Sequence, residues 1–204
     1  MAELVFFSGT MDSGKSTLAL QLDYTRSTRG IRGLLFTKND RSGNAIISSR
    51  IGLSHNAIEV TDTTDFFDFV KTEHRRSPVG YIICDEAQFY SVEQVNQLAR
   101  IVDLIGIDIF AFGITSDFRT KLFEGSARLF EIADRIETLP VPTLCWCGAK
   151  ATHNARTVNG EMVLQGEQVV VGDVELQADE RKETVGYETL CRKHHMQQRT
   201  ATNH

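Results

Sequence analysis

The 204-residue chain contains no apolar run long enough to span a membrane, and its start, Met1-Ala2-Glu3, lacks the basic residues of a secretory leader. A cytoplasmic address is the expectation. Basic residues are outnumbered, with 22 Lys and Arg against 27 Asp and Glu, a formal charge of −5. That balance argues against nucleic acid as the main partner, because such binding needs a basic footprint. Cysteine is scarce. Four thiols in a reducing compartment point to free thiols or metal ligands rather than disulfides. Proline is scarcer still, and two of the three stand in Pro140-Val141-Pro142, where the texture of the sequence changes. No internal repeat is present. What remains, 41% apolar and 24% charged residues, is ordinary for a soluble globular protein with one sizeable core and a small appendage.

The most informative stretch is Gly9-Thr10-Met11-Asp12-Ser13-Gly14-Lys15-Ser16. It fits the phosphate-loop pattern G-x-x-x-x-G-K-[ST] and follows the apolar run Leu4-Val5-Phe6-Phe7. A helical pattern with Leu18 and Leu22 on one face comes next. Glycines let the backbone approach a polyphosphate so that successive N–H groups face the anion, and the new helix adds the positive end of its dipole. Lys15 then reaches the β- and γ-phosphates and the Ser16 hydroxyl ligates Mg²⁺. The loop predicts binding of a nucleoside triphosphate.

Up to about residue 140, short apolar strands alternate with amphipathic helices. Strands are expected at 4–8, 34–37, 81–84, 107–112 and, more weakly patterned, 136–139; helices at 64–74 and 91–105. The second helix opens with a capping box, Ser91 followed by Gln94. Such alternation predicts an α/β fold, a P-loop (RecA-like), mainly parallel sheet covered on both faces. The expected domains are 1–141, the P-loop unit, and 142–204. The latter holds a β-like segment around 162–171 and a charged stretch over 173–184.

Tyr81-Ile82-Ile83-Cys84-Asp85-Glu86 is an apolar strand ending in two carboxylates. In a P-loop protein the aspartate at such a strand end holds Mg²⁺, here Asp85 acting through water. Glu86 is placed to take a hydroxyl proton or orient a water. Cys84, inside the strand, reads as a small buried hydrophobe. Asp85-Glu86-Ala87-Gln88 also looks like a helicase box, but one phosphate loop in 204 residues cannot supply two motor lobes.

Cys145-Trp146-Cys147 and Cys191-Arg192-Lys193-His194 form two short pairs of soft ligands, the pattern of a small zinc ribbon. His195 competes with His194 for the fourth place. Four protein ligands leave no open position, so the role is structural: the ion holds together a segment too small to fold on its own core. Ligand softness favours zinc.

Taken together, these features resemble the type II thymidine kinases. The resemblance runs through essentially the whole chain and rests on Gly9–Ser16 with Met11 inside it, Asp40-Arg41, Asp85-Glu86-Ala87-Gln88-Phe89, Thr115-Ser116-Asp117-Phe118-Arg119 and the Cys/Cys/Cys/His set. It implies transfer of the γ-phosphoryl group of ATP to the 5′-hydroxyl of thymidine, with deoxyuridine tolerance open, for nucleotide salvage and DNA synthesis. By the same resemblance Glu86 is the proton acceptor, and Lys15 and Arg41 stabilise the transferred group. ATP contacts fall on Gly9 through Ser16, Asp40, Arg41 and Asp85 through Gln88. Met11 and Phe118 line the base pocket, and a lasso loop with Val169-Val170-Val171-Gly172 and Tyr187 closes over the nucleoside. The insert within 173–184 makes that lasso longer than the family pattern. Homotetramers and inhibition by thymidine triphosphate are further family expectations. A nucleic-acid-stimulated ATPase and a P-loop switch with a zinc-ribbon docking module are the alternatives.

Overall fold

The structure, a computed structural model, describes residues 1–38, 45–168 and 184–203. Asp40, Arg41, Val169, Val170, Val171 and Gly172 lie outside the described residues, as does the charged insert apart from Thr184. The chain forms two compact units. One comprises Met1–Gly9, Gly14–Thr115 and Phe123–Leu139; the other comprises Thr10–Ser13, Ser116–Leu122 and Pro140–His204.

The first unit runs β1 (Leu4–Gly9), α1 (Lys15–Ser27), β2 (Gly33–Thr37), β3 (Ile46–Ser48), β4 (Ser54–Asn56), β5 (Ile58–Glu59), α2 (Phe66–Arg76), β6 (Tyr81–Asp85), α3 (Val92–Ile105), β7 (Asp108–Ile114), α4 (Glu124–Ile132) and β8 (Arg135–Thr138). Six strands make a sheet in the order β5-β2-β6-β7-β1-β8, and every neighbouring pair is parallel. β3 and β4 form a separate antiparallel ladder. Because successive side chains in a strand point to opposite faces, each central strand serves two cores. Leu4, Phe6, Ile82, Cys84, Ile109 and Ala111 pack with Phe66 and Val70 of α2, Val95, Leu98 and Ile101 of α3 and Leu129 of α4. Val5, Tyr81, Ile83, Phe110 and Phe112 pack with Ala19 and Leu20 of α1, with Leu18 and Leu22 at its margin. Cys84 is fully buried there, and burial pushes its thiol up to about 12.

Local chemistry sets the helix boundaries. Ser91 accepts from the Gln94 N–H while the Ser91 N–H donates to Gln94 Oε1, closing the capping box, and Gly106 ends α3 at φ +80°. α2 starts at Phe66, later than the apolar pattern alone indicates, because Asp65 caps the Asp68 N–H.

The second unit is built on β9 (His153–Val158), β10 (Glu161–Val163) and β11 (Val185–Leu190), an antiparallel sheet ordered β10-β9-β11, followed by α5 (Arg192–Met196). Of the strand expected around 162–171, the described residues form β10; residues 164–168 leave the sheet, with Gly166 at φ +126°, and 169–171 lie outside the described residues. Its apolar core is small, with Cys145, Ala155 and Leu190 buried and Met162 and Cys191 beside them.

In the first unit, α4 packs closely on the turn that follows β6. A Cβ on Gly125 would fall 2.5 Å from the Ala87 carbonyl oxygen and 2.8 Å from that of Tyr90. Gly125→Ala is therefore expected to cost about 1–3 kcal/mol of stability through overpacking. Urea denaturation checks this, and an unchanged midpoint would refute the close approach.

Candidate active site and metal centre

In the first unit, β1 ends at Gly9 and α1 begins at Lys15, with Gly14 at φ +81° turning the chain between loop and helix. Lys15 is buried at the helix N-terminus, where the positive end of the helix dipole favours an anion. The Ser16 hydroxyl donates to Asp85 Oδ2 at 2.8 Å, so the start of α1 meets the carboxyl end of β6 even though β7 stands between β1 and β6 in the sheet. Asp85 is buried. Burial, and next the charge of Glu86, push its carboxyl up to about 6, against the Ser16 hydroxyl and the nearby Lys15 ammonium. A buried carboxylate held against a hydroxyl suits a hard divalent cation, which would stabilise the charged form that burial disfavours.

Glu86 takes the left-handed conformation, φ +55°, a strained choice for a non-glycine residue and one that gathers at functional sites. Its carboxylate does not swing freely: Gln88 Nε2 donates to Glu86 Oε2. The same buried glutamine accepts from the Ile114 N–H through Oε1 at 3.1 Å. Gln88 thus anchors the acid to the end of β7. Ala87 opens the 3-10 turn Ala87–Phe89 that carries it.

The second unit brings together a different set. Asp117 shapes the 116–122 loop: its Oδ1 accepts from the N–H groups of Arg119 and Lys121 at 2.8 and 2.9 Å, and its Oδ2 pairs with the Arg119 guanidinium. Phe118, between them, is buried, with the Arg156 guanidinium 4.0 Å from its ring centroid. Arg156 also donates to the Tyr187 hydroxyl at 3.2 Å and to the Gln168 carbonyl at 3.2 Å. Asn154, on the same face of β9, accepts the Met11 N–H at 2.8 Å and donates to the Ser116 carbonyl at 2.8 Å. Thr10 donates to Thr143, and Asp12 takes φ +60°; Ser13 donates to the Thr10 carbonyl. Asn154, Arg156 and the organising role of Asp117 escape the motif search. Their signal was the 154/156 alternation, which puts two polar side chains on one face of a strand.

Cys145, Cys147, Cys191 and His194 converge, with their donor atoms all within 4.8 Å of one another. His194 Nδ1 lies 3.4 Å from the Cys145 sulfur and 3.5 Å from that of Cys191. Tetrahedral zinc with bonds of ~2.3 Å to sulfur and ~2.0 Å to nitrogen needs S···N edges of ~3.5 Å, so the donor set fits that ion. A tight turn closes the first pair: the Cys145 N–H donates to the Ala149 carbonyl and the Gly148 N–H to the Cys145 carbonyl. Trp146 stacks on the His194 ring, 4.1 Å between centroids at 13°, which orients the ligand. His195 faces elsewhere: its Nε2 donates to the Phe118 carbonyl at 3.1 Å. His194 therefore stands with the cysteines.

A family model described as thymidine kinase matches residues 2–195. The chain belongs to the thymidine kinase family. A thymidine kinase of Streptomyces avermitilis is 58% identical over 204 residues, spanning 100% of this chain and 93% of that protein. That of Streptomyces coelicolor is 57% identical over 98% of this chain and 92% of its own length. For the Cutibacterium acnes thymidine kinase the identity is 54%, over 97% and 89%. The Pif1 helicase structure from Candida albicans aligns at 17% identity and a TM-score of 0.42, covering 68% of this chain and 36% of that one. So slight a likeness carries no argument.

Two consequences follow for this thymidine kinase family member. Asp85 has a folded-state pKa raised from about 3.8 to about 6. The folded state then holds more protons than the unfolded one in that window, and stability falls as pH rises through it. Without magnesium or nucleotide, Asp85→Asn is expected to gain on the order of 1–3 kcal/mol over the parent protein at pH 7 and almost nothing at pH 4. Melting temperatures across that range check it; a gap independent of pH would contradict it. Cys191→Ser is expected to lose the bound metal and several kcal/mol of stability together. Elemental analysis beside denaturation tests this, and full metal retention would remove Cys191 from the set.

Proposed function

We propose that the protein transfers the γ-phosphoryl group of ATP to the 5′-hydroxyl of thymidine, producing thymidine monophosphate for nucleotide salvage in the cytoplasm. The observation that carries the reading is the Ser16–Asp85 hydrogen bond, which joins the phosphate-loop helix to the acidic strand end where Glu86 is held by Gln88. Family membership supplies the acceptor. No helix among the described residues is long and apolar enough to cross a membrane.

Phosphoryl transfer passes through a loose transition state, so the protein contributes alignment and charge stabilisation. The loop N–H groups and Lys15 hold the triphosphate, and Arg41 adds charge to the transferred group. Ser16 and Asp85 would hold Mg²⁺, Asp85 by way of water. When bound, that ion neutralises the β- and γ-phosphate oxygens. Glu86 directs the 5′-oxygen at the phosphorus and accepts its proton late. Met11, Phe118, Tyr187 and Val169 through Gly172 form the nucleoside side, and deoxyuridine is a further acceptor. Zinc at Cys145, Cys147, Cys191 and His194 stabilises the second unit. A homotetramer inhibited by thymidine triphosphate completes the proposal.

Incubating the protein with Mg²⁺-ATP and single nucleosides tests the function. Thymidine monophosphate is the expected product; ATP loss only with added DNA or RNA would replace this reading with a nucleic-acid-stimulated ATPase. Glu86→Gln is expected to retain ATP and thymidine binding and to lower turnover about 10²-fold or more, as for a general base. Near-normal turnover in the folded variant would take Glu86 out of that role.

A further inference from the structure

We propose that Arg156 is a positioning residue for the nucleoside, a single buried guanidinium that fixes the Phe118 ring and the Tyr187 hydroxyl as one unit. The inference rests on the thymidine kinase reading and extends it to a residue outside every motif of the chain.

Arg156 is only 4% exposed. It uses three directions at once. The guanidinium carbon lies 4.0 Å from the centroid of Phe118 and 5.6 Å from that of Tyr187. Nε donates to the Tyr187 hydroxyl, and a terminal nitrogen donates to the Gln168 carbonyl, each at 3.2 Å. Its neighbour Arg119 provides the contrast. Arg119 spends its fork on Asp117, with nitrogen–oxygen distances of 2.9 and 2.7 Å. Among the described residues, no carboxylate pairs with Arg156 in this way.

A desolvated cation that no carboxylate among the described residues neutralises is an expensive way to fill space, and an apolar side chain of the same volume would stabilise the unit better. What it provides is geometry. A planar fork sets the angle between the donors aimed at a phenol and a carbonyl, and its face restrains an aromatic ring. The resemblance gives both Phe118 and Tyr187 to the nucleoside. Arg156 therefore acts on the substrate through them. On the same face of β9, two residues back, Asn154 grips the Met11 N–H, so one strand face holds three of the proposed nucleoside residues. Lysine cannot replace this arrangement, since one ammonium on a flexible stem does not keep two donors and a ring face in fixed relation.

The test compares Arg156→Lys, Tyr187→Phe and the double variant, with thymidine and ATP varied separately. Arg156→Lys is expected to raise the KM for thymidine about tenfold or more, the effect of losing a charge-assisted hydrogen bond, and to leave the KM for ATP and the metal content unchanged. Tyr187→Phe removes the same hydrogen bond from its other end, so the two effects must combine to less than their product. An unchanged thymidine KM, an equal rise in both KM values, or fully multiplicative effects would each overturn the assignment. If Arg156→Lys shows no cooperative melting, Tyr187→Phe decides alone: the thymidine-selective rise supports the proposal and its absence overturns it. Parent protein that makes no thymidine monophosphate overturns the function itself, an outcome separate from a parent that is active beside an unaffected variant.

Discussion

Everything on the phosphate side turns on one buried carboxylate. Asp85 sits where β6 leaves the sheet, and it accepts the Ser16 hydroxyl in the first turn of α1. A parallel sheet makes this meeting unavoidable. All six strands point the same way, so the turn after β1 and the acids after β6 emerge at the same edge, where ligands of open α/β sheets bind. Burial disfavours the charge that the edge must carry, as the raised Asp85 pKa records. A divalent cation at the proposed site would offset that cost, so stability would be given up there for affinity.

The acid next to it is controlled by different means. Glu86 adopts a left-handed backbone and is tethered by Gln88, whose other end is fixed on Ile114. One amide thus uses both its donor and its acceptor to convert strand geometry into side-chain direction. Gly125 permits α4 to lie against the turn that carries this tether. The core packing and the orientation of Glu86 are therefore the same set of contacts seen from two sides.

The second unit solves a problem of scale. Cys145, Ala155 and Leu190 are its buried apolar cluster, and three such side chains supply at most a few kcal/mol. A structural zinc at the Cys/His set would contribute on the order of 10 kcal/mol, enough to hold a small sheet whose interior also buries the polar Asn154, Arg156 and Thr157. That polar interior is ordered rather than merely buried. Asp117 sets the loop around Phe118, His195 holds the Phe118 carbonyl one residue away from a metal ligand, and Asn154 and Arg156 reach out from β9. The metal centre and the proposed nucleoside residues consequently share one scaffold.

The placement of the phosphate-loop pattern between β1 and α1, of the acidic pair at the end of β6 and of the two Cys/His ligand pairs was legible in the sequence because each rests on residue types at short spacing. The five sheet strands read from the sequence fall close to their patterns for a related reason: strands buried on both faces read as continuous apolar runs. The pattern failed where burial is not apolar. β9, His153–Val158, buries Asn154, Arg156 and Thr157, so it shows no hydrophobic alternation, whereas apolar letters gather around 162–171. Short-range order, then, was written in the chain itself: where helices are capped, which loop can cradle a phosphate, which thiols can share an ion. Only the tertiary structure decided that Gln88 aims Glu86, that His194 rather than His195 faces the thiols, and that a strand arginine supports Phe118. Each relation depends on a partner remote in sequence, Ile114 for Gln88, Cys145 for His194 and Phe118 for Arg156, and no local spacing encodes the direction in which a buried polar side chain finds its partner.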